Sequence, residues 1–266
     1  MKIWTVANQK GGVGKTTSVV SLGGLLAHWG FRTLMVDMDP HGSLTQYFRL
    51  DPDNLDTSAY TLFQAASRHD YLDPAYVIYP TNFPKLELIP GVMALATLDR
   101  MADRLEGLGL VLKNALTPLK DRFDFVLIDC PPLLGVLMVN ALAACERVII
   151  PVQTEFLALK GLERMLQTLD MVLKARPERL ACTIIPTLHD QRLRAANDSL
   201  AILRAKYPDR LSRTLIPVDT KFRDASKAGL TPVAYDPKSR GLLAYGELLE
   251  DLLNEQRPAA RRENGS

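Results

Sequence analysis

Apolar runs of strand length alternate along this chain with longer stretches in which apolar residues recur every three or four positions. KIWTVAN (2–8), RTLMVDMD (32–39), FDFVLIDC (123–130), RVIIPV (147–152), LACTIIP (180–186) and RTLIPV (213–218) read as strands. Several are almost continuously apolar, the pattern of parallel strands covered on both faces. Val19, Val20, Leu22, Leu25, Leu26 and Trp29 mark a helix after the first run. Phe156, Leu159, Leu162, Met165, Leu166, Leu169 and Leu173 mark another across 155–175. The alternation predicts an α/β fold, a doubly wound and mostly parallel sheet flanked by helices. Trp4 and Trp29 are expected to pack within it. The stretch 51–85 is richer in Asp, Pro, Tyr and Thr and less periodic, so it reads as a surface excursion. One domain is expected over 1–254, with a polar tail at 255–266 that lacks a core pattern.

Composition narrows the class without changing the fold. Of 266 residues, 47% are hydrophobic and 23% charged, the balance of a globular protein with a large core. Three cysteines, Cys130, Cys145 and Cys182, fit no zinc spacing, and their odd number argues against a disulfide framework. Buried, reduced thiols are expected. The N-terminus lacks the apolar segment of a signal peptide, and no stretch reaches the ~18 uninterrupted apolar residues of a membrane span. A cytoplasmic protein is expected.

The chemistry begins at NQKGGVGKTT (8–17). A strand–loop–helix context lets backbone N–H groups of a glycine loop converge on phosphate oxygens, with the helix N-terminus adding partial positive charge. Gly11, Gly12 and Gly14 supply the turn. Lys15 is placed to reach the β- and γ-phosphates and the Thr16 hydroxyl to ligate Mg²⁺. The ordinary pattern G-x-x-x-x-G-K-(S/T) has glycine where this chain has Gln9. LMVDMDPHGSLT (34–45) puts Asp37 and Asp39 at a strand's C-terminal end, where ligands of open α/β sheets collect. FVLIDCPP (125–132) is an apolar strand ending in Asp129, a Walker B arrangement suited to Mg²⁺.

KGGVGKTT resembles the deviant Walker A box of the ParA/MinD ATPases, the partition and positioning proteins, and DMDPHG and FVLIDCPP resemble the D-x-D-P-x-G and Walker B boxes that follow it in that family. DCPPLLGVLMVNAL (129–142), PVQTEFLALKGL (151–162) and YDPKSRG (235–241) are similar to the short Soj-type branch. The resemblance implies ATP and Mg²⁺ as cofactors. It implies that Lys10 is the signature lysine, reaching across a face-to-face homodimer to the partner's phosphates. Asp39 would position the attacking water, with Asp37 supporting the Mg²⁺ shell. Val13, Thr17 and Pro217 join the expected nucleotide contacts. Leu133 and Met138 depart from the small or polar residues usual at their places, and DASKAGLTP (224–232) matches only loosely. No Cys-Gly-Gly box is present, so no iron–sulfur cluster is expected.

The charge is uneven. Residues 174–240 hold fourteen Lys or Arg against seven Asp or Glu, a net of +7, whereas the whole chain is +2. A solvated helical face also produces such clustering. TLHDQR (187–192) is similar to the family's T-x-x-D-x-R segment, whose arginine contacts DNA without sequence preference. The resemblance places Arg192 and Lys221 at DNA-contact positions, with Arg194 and Arg223 as neighbours, and Val218 where a basic residue is usual. GLLAYGELLEDLLNEQ (241–256) is acidic, which anionic lipid headgroups repel, so a core helix is expected and no membrane anchor. None of the four histidines is assigned a catalytic role. The expectation is a nucleoid-associated ATPase that positions or segregates a cargo, stimulated by a ParB-like or adaptor protein. A MinD-like regulator acting through a protein or membrane, and a small-substrate P-loop enzyme, remain alternatives.

Overall fold

The central strands of the computed structural model, which describes residues 1–101, 108–173 and 180–255, are those whose runs are most continuously apolar. The seven strands among the described residues are β1 (Lys2–Val6), β2 (Thr33–Asp37), β3 (Tyr79–Pro80), β4 (Leu86–Ile89), β5 (Phe125–Asp129), β6 (Arg147–Gln153) and β7 (Ala181–Thr187). They form one sheet in the order β3-β4-β2-β5-β1-β6-β7. Every pairing is parallel except the short antiparallel β3–β4 edge. All five positions of both β2 and β5 are buried, as expected for strands covered on two faces.

The helices are α1 (Lys15–His28), α2 (Ser43–Tyr47), α3 (Ala59–Ser67), α4 (Ala96–Met101), α5 (Val111–Leu116), α6 (Val136–Ala144), α7 (Phe156–Leu173), α8 (Arg194–Lys206), α9 (Lys221–Ala228), α10 (Pro232–Tyr235) and α11 (Arg240–Glu255). Phe63 of α3, Leu112 of α5, Leu142 of α6 and Leu162, Met165 and Leu169 of α7 build the core on one face of the sheet. Val19, Leu22 and Leu26 of α1 build the other with Tyr245, Leu249 and Leu252 of α11. Because α1 is sandwiched between the sheet and α11, it is buried from Ser18 through Ala27 and shows no polar face. On α11, Leu242, Tyr245, Leu248, Leu249 and Leu252 turn inward while Glu247, Glu250 and Asp251 face solvent. The acidic helix is a core helix, as expected from its pattern.

Five expectations need correction. RTLIPV (213–218) is not a strand but a strap along β7, joined by single bridges at Ile184–Leu211 and His189–Pro217. The Ser212 hydroxyl takes the Thr214 N–H at 3.1 Å, and Pro217 has no N–H to give, so a continuous ladder cannot form. The 51–85 stretch is not wholly superficial, because Ala59, Leu62, Phe63 and Val77 are buried and Tyr79–Pro80 forms the edge strand. Trp4 is fully buried, stacked edge-on against Phe125, but Trp29 at the end of α1 is 38% exposed. Cys130 and Cys145 are buried free thiols, whereas Cys182 is only half-buried. Glu255, assigned to the tail, is the last residue of α11 and accepts a 2.9 Å hydrogen bond from Arg147. The remainder of the expected tail, 256–266, lies outside the described residues.

Candidate active site

β1 lies where the strand order reverses, and its C-terminal end opens into the crevice that such sheets use for ligands. The loop from Asn8 to Gly14 occupies that crevice. Asn8 shapes it, donating through Nδ2 to the Pro151 carbonyl (2.8 Å) and accepting the Lys10 N–H (3.0 Å). Gln9, at the position where the ordinary pattern has glycine, donates to Thr168 Oγ1 of α7 at 2.8 Å. The departure therefore ties the loop to a helix. Gly12 and Gly14 have φ of 75° and 92°, values that L side chains rarely adopt. A Cβ at Gly11, Gly12 or Gly14 would meet no atom within 4 Å, so the loop faces open space. α1 starts immediately after it with no side-chain cap and no acidic residue in its first turn. Its leading N–H groups are left for an anion.

The charged groups converge on this opening. Lys15 is buried and donates to the Lys10 carbonyl at 3.2 Å. Burial pulls its pKa down, while Asp129 and Asp39 pull it up. Thr16 Oγ1 donates to Asp129 Oδ2 at 2.6 Å, and Asp129 Oδ1 is buried with no partner. Burial, with Asp37 in register beside it on β2, pushes the Asp129 carboxyl well above the usual carboxylate range. Asp37 is raised to about 6, first by burial. Its two oxygens accept from Thr45 N (2.9 Å), Thr45 Oγ1 (2.7 Å) and Asp39 N (3.1 Å). Asp39 accepts from the backbone N of His41 and sits 3.0 Å from its Nδ1. Lys10 is ion-paired with Glu155, the residue preceding α7.

This donor set fits a nucleotide phosphate with a hard divalent cation. The open glycine cradle and uncapped helix suit the anion, and the unpartnered Asp129 oxygen beside the Thr16 hydroxyl suits Mg²⁺, which binds through one or two carboxylates and otherwise keeps water. Asp37 is a weaker candidate for direct ligation, since three N–H and O–H donors already occupy it. Among the described residues no cluster of three His, Cys, Asp or Glu forms a metal cage, in keeping with such a water-rich site.

The comparisons with known proteins agree with this geometry. A family model described as an AAA domain matches residues 1–182. The sporulation initiation inhibitor protein Soj of Bacillus subtilis is 34% identical over 252 residues, spanning 94% of this chain and 98% of that protein. The chain belongs to the ParA/MinD family of ATPases. Two solved structures support the same assignment of fold. A Mycobacterium smegmatis protein described as cobyrinic acid a,c-diamide synthase, with bound ADP and magnesium, is 34% identical with a TM-score of 0.82, covering 96% of this chain and 95% of that one. A putative plasmid partition protein of Borrelia burgdorferi, bound to AMPPNP, is 26% identical with a TM-score of 0.80, covering 96% and 99%.

The structure brings Lys10, Lys15, Thr16, Asp37, Asp39 and Asp129 to one end of the sheet in this ParA/MinD-type ATPase. Val13 is buried, and its carbonyl accepts from Thr187 Oγ1 at 2.8 Å. Thr17 is half-buried on the first turn of α1. Pro217 lies on the strap beside His189. The candidate DNA residues form a separate group. Arg192 and Arg194 follow β7, and Lys221 and Arg223 begin α9. The Val218 N–H to His189 carbonyl bond joins the two segments. Sequence reasoning did not single out Thr45, Gly91, Glu155 or Thr187. Thr45 lies inside the quoted Asp37–Asp39 box and was readable there. Gly91 donates to Thr45 Oγ1 and packs so closely that a Cβ would stand 2.8 Å from the Asp37 carbonyl, a closeness no local motif announces.

Proposed function

We propose that this ATPase is an ATP-driven dimerising switch that binds DNA without sequence preference and positions or segregates a cargo. The observation that carries the proposal is the pairing of two lysines on one loop with different surroundings. Lys15 is buried beside Asp129 within its own site, whereas Lys10 sits at the rim on a partly exposed ion pair. Lys15 and the N-terminal N–H groups of α1 hold the phosphates, and Thr16 and Asp129 hold Mg²⁺. The cation, when bound, neutralises charge on the β- and γ-oxygens. Asp39 orients the attacking water, and Lys10 reaches the phosphates of a second copy. Removal of the γ-phosphate then removes the charge that holds the two copies together.

The DNA reading is supported by four exposed basic residues, Arg192, Arg194, Lys221 and Arg223, on two segments joined at His189–Pro217. Partition is supported by likeness to proteins named for chromosome or plasmid partition along nearly the whole chain. A ParB-like or adaptor protein is the expected stimulator of hydrolysis, and the cargo is a partition complex or a protein assembly.

A small-substrate enzyme is the second reading, favoured by the description of the mycobacterial structure. A cavity of about 400 Å³ lined by Arg147, Ala181 and Arg210 opens at the N-terminal ends of β6 and β7, away from the phosphate loop. Binding of random-sequence duplex DNA with ATP, ADP or no nucleotide, across a salt series and alongside sizing chromatography, separates the readings. ATP-dependent dimer and salt-sensitive binding support the switch; monomer without DNA affinity in every state refutes it.

A further inference from the structure

The basic surface is not uniformly available. Arg192 is 88% exposed at its side chain, yet Asp190 grips it with both oxygens, Nε to Oδ1 at 2.9 Å and Nη2 to Oδ2 at 2.7 Å. The same carboxylate also accepts the Arg192 backbone N–H at 3.1 Å. The grip is anchored. Asp190 follows His189, which is buried, lies 3.1 Å from Thr154 Oγ1 through Nδ1, and exchanges backbone bonds with Ile216 and Val218. The guanidinium of Arg192 beside it lowers the Asp190 carboxyl to about 2.

Lys221 and Arg223 contrast with it. Both are exposed, and neither side chain is ion-paired with a carboxylate among the described residues, although the Lys221 backbone N–H donates to Asp219 Oδ1 at 2.9 Å. The Lys221 ammonium lies 6.0 Å from the Tyr235 ring, a contact that leaves its charge intact. Arg194 has only a loose 3.8 Å approach to Asp198.

We propose that Asp190 is a cis-acting restraint on Arg192, so that nucleic-acid backbone contact in this chain is carried chiefly by the N-terminal end of α9. The inference rests on the DNA reading above. A phosphate meeting Arg192 finds the Nε–Nη2 edge occupied and a compensating negative charge beside it. Bidentate capture of the phosphate along that edge requires displacing Asp190. The same phosphate finds the Lys221 and Arg223 side chains without an ion-paired carboxylate among the described residues, Asp219 being engaged with the Lys221 and Gly241 backbone N–H groups. Arg192 thus contributes less than a full phosphate contact in the native protein.

The test is a double-mutant cycle read on random-sequence duplex DNA with ATP, using wild type, Asp190→Asn, Arg192→Ala, the double variant and Lys221→Ala. Arg192→Ala is expected to weaken wild-type binding by about two-fold or less, and Lys221→Ala by about five-fold or more. Asp190→Asn is expected to tighten binding and to steepen the log–log salt slope by up to about 0.9. Arg192→Ala should then cancel that gain in the double variant. Weaker binding by Asp190→Asn, or equal losses for Arg192→Ala in both backgrounds, would overturn the restraint, the first by making Asp190 a support for the contact. Asn at 190 keeps an oxygen for the Arg192 N–H, so the turn is preserved, and unchanged ATP turnover in that variant verifies it. Absence of DNA binding in wild type and Asp190→Asn alike removes the DNA reading and the restraint with it. Binding by Asp190→Asn alone supports both.

Discussion

Asp129→Asn should make the nucleotide-free protein more stable while abolishing its response to Mg²⁺ and ATP. The wild-type carboxylate is buried, receives one donor from Thr16, and leaves Oδ1 unpartnered. Asp37 alongside has three donors and is still raised to about 6. A carboxyl held near 6 in the fold and near 4 when unfolded destabilises by about 3 kcal/mol once it ionises. Burial first, and then the charge of Asp37, raises Asp129 in the same direction with fewer donors to offset it. Asparagine removes the charge and keeps an acceptor for Thr16. Its unpaired amide costs about 1–2 kcal/mol, and Lys15 loses an attractive neighbour. A net gain in stability remains at pH 8, read as a higher Tm. The sign with pH is set by the raised folded value. The penalty is absent below about pH 4, where folded and unfolded carboxyls are both protonated, and grows as pH rises, so the variant's advantage must shrink on acidification. Thermal unfolding at pH 5 and pH 8, with and without Mg²⁺ and ATP, measures all of this. A variant less stable than wild type at pH 8 without nucleotide would refute the reasoning. So would an advantage that grows towards pH 5.

Lys10→Ala should retain nucleotide affinity but lose ATP-driven dimerisation on sizing chromatography, because Lys15 remains in place. Asp39→Ala should bind ATP yet hydrolyse it about 10²-fold or more slowly, accumulating the DNA-bound form; ordinary turnover in that variant would remove Asp39 from the mechanism. Gly91→Ala should cost about 1–3 kcal/mol in urea unfolding and lower kcat as well, since its Cβ would displace the Asp37–Asp39 backbone. Tyr245→Phe removes the 2.7 Å bond to Ser18 and should cost about 1 kcal/mol with ATP turnover unchanged.

Much of this was legible in the chain because parallel strands buried on both faces are written as unbroken apolar runs. β1, β2, β5, β6 and β7 were all read within two residues of their ends. Leu86–Ile89 escaped because four residues with a glutamate among them carry too little periodicity. The 213–218 run misled in the opposite sense, being apolar enough for a strand but interrupted by the Ser212 turn and by Pro217. At the site, Lys15, Thr16 and Asp129 were readable because phosphate chemistry demands those types at that spacing. The Thr45 clasp on Asp37 lay within the box already quoted, but the Gly91 backbone behind it and the partner Glu155 arise from tertiary approach. Asp190 sits two residues from Arg192 in plain view, but only the turn geometry aims one at the other.

The ion pair between Lys10 and Glu155 has a consequence that a single copy does not reveal. In the proposed dimer, where Lys10 reaches the second copy, each subunit would give up the same internal contact, so whatever the contact is worth would enter the association constant twice. A partly exposed pair of about 0.5 kcal/mol is a factor of about two for one subunit and about five for the assembly. If the proposed dimer forms in this way, Glu155 would act as a threshold on concentration: it would weight the balance against joining by the square of its effect on one chain, while leaving the chemistry inside each subunit untouched.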